Sequence, residues 1–279
     1  MPQFLRRLQK IQAETKALKS VPTRICKIEC LRAAETINFE AIFKSNETLT
    51  AWSVIGPRLQ MFEIPDGTGG VNPGDRRAIF YLMRYFKPRS VLEVGTHIGA
   101  STIYIAAALH SSDTLETEDR LQFVSVDAKS VNDPISKPWL HNGTRDSPLE
   151  MINRIGCGYF VRFVTSSSLD YMAACEERYD FIFLDGSHAA KAVYQEIPAA
   201  LELLKTDGLV LLHDYFPKLK PLWVDGSVIP GPFLAAERLR TQQSQLKVLP
   251  LGQLPWPTKL KSNVTSLALL ARSESSVCI

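Results

Sequence analysis

The stretch YDFIFLDGSHAAKAVYQEIPAALELLKTDGLVLLHDY, residues 179–215, reads as strand, helix and strand in direct succession. YDFIFLD and GLVLLHD are apolar at odd and even positions alike, so each strand is covered on both faces. AAKAVYQEIPAALELL between them has helical spacing. Strands buried on both sides and joined through a helix are the mark of a parallel sheet. Each strand closes on an acidic residue, Asp185 and Asp214. His188 follows the first by three positions, and His213 directly precedes the second.

Working outward, the alternation continues. SVLEV, LQFVSV and YFVRFV read as strands, and DRRAIFYLMRYF, ASTIYIAAAL and SLDYMAACEE as helices. The expectation is a doubly wound, Rossmann-like α/β sheet. Downstream, FLAAERLRTQQSQ is helical, and LKVLPL and VTSLALLAR are two late strands around a proline-rich loop, which suggests an antiparallel hairpin on the sheet edge. Residues 1–62 read as a helical extension with breaks near Pro22 and Ser45, serving as a lid or a dimer contact, and residues 63–279 as the main domain. Its first segment, FLRRLQKIQAETKALK, is amphipathic and reads as a helix packed on the body or on a second subunit, with a transit peptide or membrane-surface anchor as the alternative. The loop EIPDGTGGVNPGD, residues 63–75, is placed to close over a ligand.

Composition excludes several classes. A chain of 279 residues with 45% hydrophobic residues can bury a large core. The net charge of +3 is dispersed, without the basic stripe of a nucleic-acid groove, so no nucleic-acid partner is expected. No apolar run approaches a membrane span and none resembles a secretory signal. Five scattered cysteines, Cys26, Cys30, Cys157, Cys175 and Cys278, argue for reduced thiols and a cytoplasmic location.

Ligands of open α/β sheets bind beyond the carboxyl ends of the strands. There the chain reads Glu93-Val94-Gly95-Thr96-His97-Ile98-Gly99-Ala100-Ser101. Gly95 permits a tight turn, and Gly99 lets a helix begin close to a ligand. The glycines stand four apart, which is not the dinucleotide pattern G-x-G-x-x-G, and the acidic Glu93 suits a cationic ligand better than a phosphate. Asp127 ends the second strand, where a carboxylate can take both hydroxyls of a ribose. Ser167 and Ser168 end the third, facing an adenine or capping the next helix. Asp185, His188, His213 and Asp214 converge at the fourth and fifth. Carboxylates with imidazole suit a divalent cation, a general base, or a salt-bridge network.

Taken together, VLEVGTHIGAS, VSVDA and the 179–215 block resemble the class I S-adenosylmethionine-dependent methyltransferases, in particular the small-molecule O-methyltransferases related to the catechol and macrolide-sugar enzymes. The resemblance covers roughly residues 75–216. It implies a seven-stranded sheet whose last strand, VTSLALLAR, is antiparallel. It also implies cofactor contacts at Glu93, Gly95, Gly99, Ser101, Asp127, Ser167, Ser168 and Asp185, with S-adenosylmethionine as cofactor. By the same resemblance Asp185, His213 and Asp214 would hold Mg²⁺ or another divalent cation, and His188 would take the proton of a small-molecule hydroxyl acceptor. Two departures stand out: Tyr215 replaces the Asn of the catechol enzymes, and His213 the Glu of the sugar enzymes. A homodimer is a further expectation. The competing readings are a nicotinamide oxidoreductase, an aminopropyl-transfer enzyme, a catalytically silent S-adenosylmethionine-binding protein, and a relative serving a hydroxylation system.

Overall fold

A computed structural model of the chain describes residues 3–111, 121–259 and 262–274; Cys278 lies outside them. Helices α1 (Gln3–Lys19), α2 (Phe39–Lys44) and α3 (Asn46–Gln60) precede α4 (Pro73–Phe86), which leads into the sheet. The alternating part runs β1 (Ser90–Val94), α5 (Thr102–His110), β2 (Gln122–Asp127), α6 (Pro138–His141), α7 (Pro148–Arg154), β3 (Val161–Thr165), α8 (Ser168–Ala174), β4 (Tyr179–Leu184), α9 (Ala190–Glu202) and β5 (Leu204–Leu212). Helix α10 (Pro230–Gln242), β6 (Leu246–Pro250) and β7 (Ala268–Arg272) complete the described elements.

One sheet holds all seven strands, in the order β3-β2-β1-β4-β5-β7-β6. β1 to β5 run parallel, and β7 is antiparallel to both β5 and β6. The late hairpin is therefore present, with its second strand inserted between β5 and the first. Burial explains this order. Ala268, Leu269, Leu270 and Ala271 are completely enclosed and need a neighbour on each side, whereas β6 exposes Lys247 and ends at Pro250, which suits an edge.

Alternation along the central strands divides the core in two. Val91, Phe123, Phe181 and Leu209 face α2, α3, α4, α5 and α7; Leu92, Val124, Ile182 and Val210 face α1, α8, α9 and α10. Residues 3–62 enter both layers. Leu18 and Leu31 join one, and Ile42, Phe43, Leu59 and Phe62 join the other. Backbone bonds from Arg32 N–H to the Gly208 carbonyl and from Arg272 N–H to the Arg32 carbonyl tie this segment to the sheet. The expected boundary at residue 62 thus divides the chain without dividing a core.

Two short helices between β2 and β3 were not expected from periodicity. Helix α7 is set by local chemistry instead: Ser147 and Glu150 form a reciprocal capping box with Pro148 at the first position.

Candidate active site

The carboxyl ends of β1, β2, β3 and β4 open onto a cleft of about 530 Å³, whose wall includes Gly95, Asp127, Ser167, Ser168, Asp185 and His188. Strand register brings them together. Val94 pairs with Leu184 and Asp127 with Thr165, so consecutive strand ends present their next residues at one level.

Gly95 has φ +100°, and a Cβ there would press into the carbonyl of Asp185. Glycine at this position is what lets the β1 turn lie against the β4 turn. Asp127 accepts the His97 backbone N–H at Oδ2 and the Lys129 backbone N–H at Oδ1, each at 2.8 Å. Those two bonds fix the carboxylate's orientation and leave further lone pairs for a ligand. Ser167 caps α8, accepting the Asp170 N–H at 3.2 Å, so its capping alternative is realised while it lines the cleft. Ser168 donates to Glu196 Oε1 at 2.5 Å.

Three expected cofactor contacts stand elsewhere. Glu93 is completely buried beneath the turn, and its carboxylate accepts from Ser101 at 2.5 Å, Thr102 at 2.6 Å and Ser125 at 2.6 Å. Its lone pairs serve these hydroxyls, and burial pushes its acid up to about 7 against their opposing effect. Ser101 is spent on the same bond. Gly99, at φ +76°, turns its hydrogen side toward Pro148 and Met151 and so permits α7 to pack. These residues shape the β1 turn from behind.

His213 is buried at the end of β5. It was expected as a cation ligand, and its ring is enclosed by carboxylates: Nδ1 donates to Asp185 at 2.8 Å, and Nε2 lies 3.4 Å from Asp75. Burial disfavours its charge, yet Asp185, Asp214, the hydrogen bond to Asp185 and the nearby Asp75 carboxylate outweigh it and raise its pKa well above the usual value. Nε2 itself is buried without a hydrogen-bond partner. Asp214 pairs with it and adopts φ +53°, a left-handed conformation that costs a non-glycine residue strain. Burial raises the Asp214 pKa, with His213 opposing.

His188 stands on the more exposed side of the same cluster. Its Nδ1 lies 3.6 Å from Asp214, and among the described residues Asp185, His188 and Asp214 form a group whose ligand atoms all fall within 4.8 Å of one another. The donor set of two carboxylates and one imidazole fits a divalent cation.

Two buried carboxylates at the candidate site escaped the sequence reading. Asp75 sits at the start of α4, fully buried, and reaches His213 from outside the alternating block. Nothing in its spacing announces that contact. Glu196 is 2% exposed and lines the cleft from α9. Its signal was present, because a carboxylate stands in the apolar stripe of Val193, Ile197 and Ala200. The loop before α4 also reaches the cleft through Thr68 and Gly69. His97, at φ +48°, holds it by a 2.9 Å bond between Nε2 and the Thr68 carbonyl.

Residues 92–215 match the family described as a methyltransferase domain. Among solved structures, the O-methyltransferase TomG from Streptomyces achromogenes, involved in tomaymycin synthesis and solved with SAM, superposes with a TM-score of 0.52 at 14% identity, over 83% of this chain and 91% of that one. The SAH-bound Podospora anserina methyltransferase PaMTH1 gives 0.52 at 14% identity over 98% of each chain. Cofactor-bound Rv0187 from MTB gives 0.51 at 17% identity, over 81% and 90%. At these identities the likeness is one of fold. No curated protein matches the sequence. The segment from Leu92 to Tyr215 thus matches a methyltransferase-domain family, and the chain shares the fold of these solved methyltransferase structures.

Proposed function

We propose that this protein transfers the methyl group of S-adenosylmethionine to a hydroxyl of a small molecule. The observation that carries this reading is the convergence on one cleft of an oriented carboxylate at the end of β2, the serine wall after β3, and the Asp185–His188 turn after β4. The cofactor's ribose hydroxyls fit Asp127, which accepts one backbone N–H on each oxygen and has acceptors to spare. The sulfonium lies toward Gly95 and Asp185, where carboxylates favour positive charge. TomG, a SAM-bound O-methyltransferase of the same fold, supports oxygen as the acceptor atom.

A neutral hydroxyl attacks a sulfonium poorly and must shed its proton as it does so. His188 is partly exposed at the cleft, with Asp214 at 3.6 Å to stabilise the imidazolium once formed. Asp214 is in turn braced by His213, and His213 by Asp75 and Asp185. Holding oxygen, methyl carbon and sulfur in line contributes much of the remaining rate. His188→Ala is expected to lower kcat by about 100-fold or more with little change in cofactor affinity. An unchanged kcat would remove His188 from the base role.

A second reading is favoured by the grouping of Asp185, His188 and Asp214. A divalent cation there would be held by these three residues, lowering the pKa of the acceptor hydroxyl. In that case His188 is a ligand, and a chelator abolishes turnover.

Among the described residues no helix is long and apolar enough to cross a membrane, and Cys26, Cys30, Cys157 and Cys175 are free. Both features support the proposal of a cytoplasmic enzyme.

A further inference from the structure

Glu196 is an outlier in its own helix. The face that α9 turns inward carries Ala190, Val193, Tyr194, Ile197, Ala200 and Leu201, and in the middle of it stands a carboxylate that is 2% exposed. Burying a carboxylate is costly unless donors satisfy it. The hydrogen bond it receives is the one from Ser168 at 2.5 Å, on a single oxygen, and the side chain forms part of the cleft wall. A carboxylate placed there is an acceptor waiting for an N–H or O–H from the ligand.

The ligand's layout identifies which donor. Asp127 fixes the ribose end, and its Cα partner in β3 is Thr165, so a base attached to that ribose reaches the Ser166–Ser168 wall next. Ser168 is the residue that holds Glu196. Of the cofactor's donors, the ribose hydroxyls belong to Asp127 and the ammonium to the methionine end near Gly95 and Asp185. The exocyclic amine of the purine is what remains.

Resting on the methyltransferase reading above, we infer that Glu196 accepts a hydrogen bond from the 6-amino group of the cofactor's purine and makes the site selective for adenine over a 6-oxopurine. The selection has a repulsive side as well. A 6-oxo group would set a carbonyl oxygen against the carboxylate in place of the amine donor.

The test is isothermal titration of S-adenosylhomocysteine and of its deaminated analogue, S-inosylhomocysteine, into the wild-type protein and Glu196→Gln. The wild type is expected to prefer the amino compound by about 10- to 100-fold. In Glu196→Gln, whose amide can donate to a 6-oxo group as well as accept from an amine, the gap should close to about 3-fold or less. Glu196→Asp, which withdraws the carboxylate by one methylene, should narrow the gap part-way, which keeps the test decisive if Glu196→Gln does not fold. Equal binding of both compounds by the wild type, or an undiminished gap in both variants, would overturn the inference and leave the methyltransferase reading standing. Failure of the wild type to bind either compound would remove that reading, and the inference with it.

Discussion

At the residue scale, Glu93 shows how a strand-end acid can serve the fold while standing behind the wall of a cleft. An ordinary glutamate protonates near 4.5, and Glu93 in the folded protein does so at about 7 because it is sealed from water. Between those values the folded state holds the proton that the unfolded chain has released. The stability linked to this proton is present below about pH 4.5 and lost as pH rises through 7, by about 3 kcal/mol at most. Glu93→Gln cannot titrate, so its melting temperature relative to wild type should rise between pH 5 and pH 8. A constant difference across that range would contradict the assignment. The sequence announced an acid before the glycine but not its burial, because whether it faces the cleft or the hydroxyls of Ser101, Thr102 and Ser125 depends on how α5 and β2 pack around it. His213 is a similar case. Its position at the end of β5 was legible, whereas its engagement by Asp75 depends on a helix more than a hundred positions earlier in the chain.

At the element scale, the turn that carries His188 is clamped by helices outside the matched domain. The first residue of α9 donates its N–H to Glu14 of α1 at 2.7 Å, and Ala189, its N-cap, offers no side-chain bond. Gly231, near the start of α10, packs so closely on the His188 carbonyl that a methyl group there would force the turn to move. Gly231→Ala is expected to reduce kcat by about 10-fold or more while S-adenosylhomocysteine still binds, since a small misplacement of a catalytic group is costly. Full activity in that variant would show that the turn tolerates movement. On the other wall, buried Arg76 donates to the carbonyls of Ile64, Pro65 and Val71 and so fixes the loop before α4. Arg76→Ala should free that loop and hasten cofactor release in stopped-flow measurements, and an unchanged release rate would argue against a covering role. Strands and long helices were legible because their apolar period is strong. The loop's contacts were not, because a guanidinium binding three carbonyls leaves no pattern in the sequence.

At the scale of the whole molecule, the chain behaves as one body built on two cores that share a sheet. Phe43, from a segment that reads as a helical extension, is 5% exposed and meets Trp256 edge to face at 5.6 Å. Phe43→Ala is expected to cost about 3–5 kcal/mol in chemical unfolding, as a core cavity does. A cost near zero would mean that residues 1–62 are a separable module. The parallel order and the antiparallel strand near the edge were foreseeable from apolar runs and a late hairpin. The insertion of β7 inside β6 was decided by which of the two strands could bear exposure.

The central claim is that the cleft at the carboxyl ends of β1 to β4 binds the methyl-donor cofactor, and one titration tests it. S-adenosylhomocysteine is titrated calorimetrically into the wild type and Asp127→Ala, with Mg²⁺ and with a chelator. The account predicts one site per chain in the wild type and a loss of binding of about 10-fold or more in Asp127→Ala, since two hydroxyls lose a charged acceptor. A difference between the Mg²⁺ and chelator arms would place a cation at Asp185, His188 and Asp214. Absence of binding by the wild type under both conditions, or an Asp127→Ala variant that binds as tightly as the wild type, would contradict it.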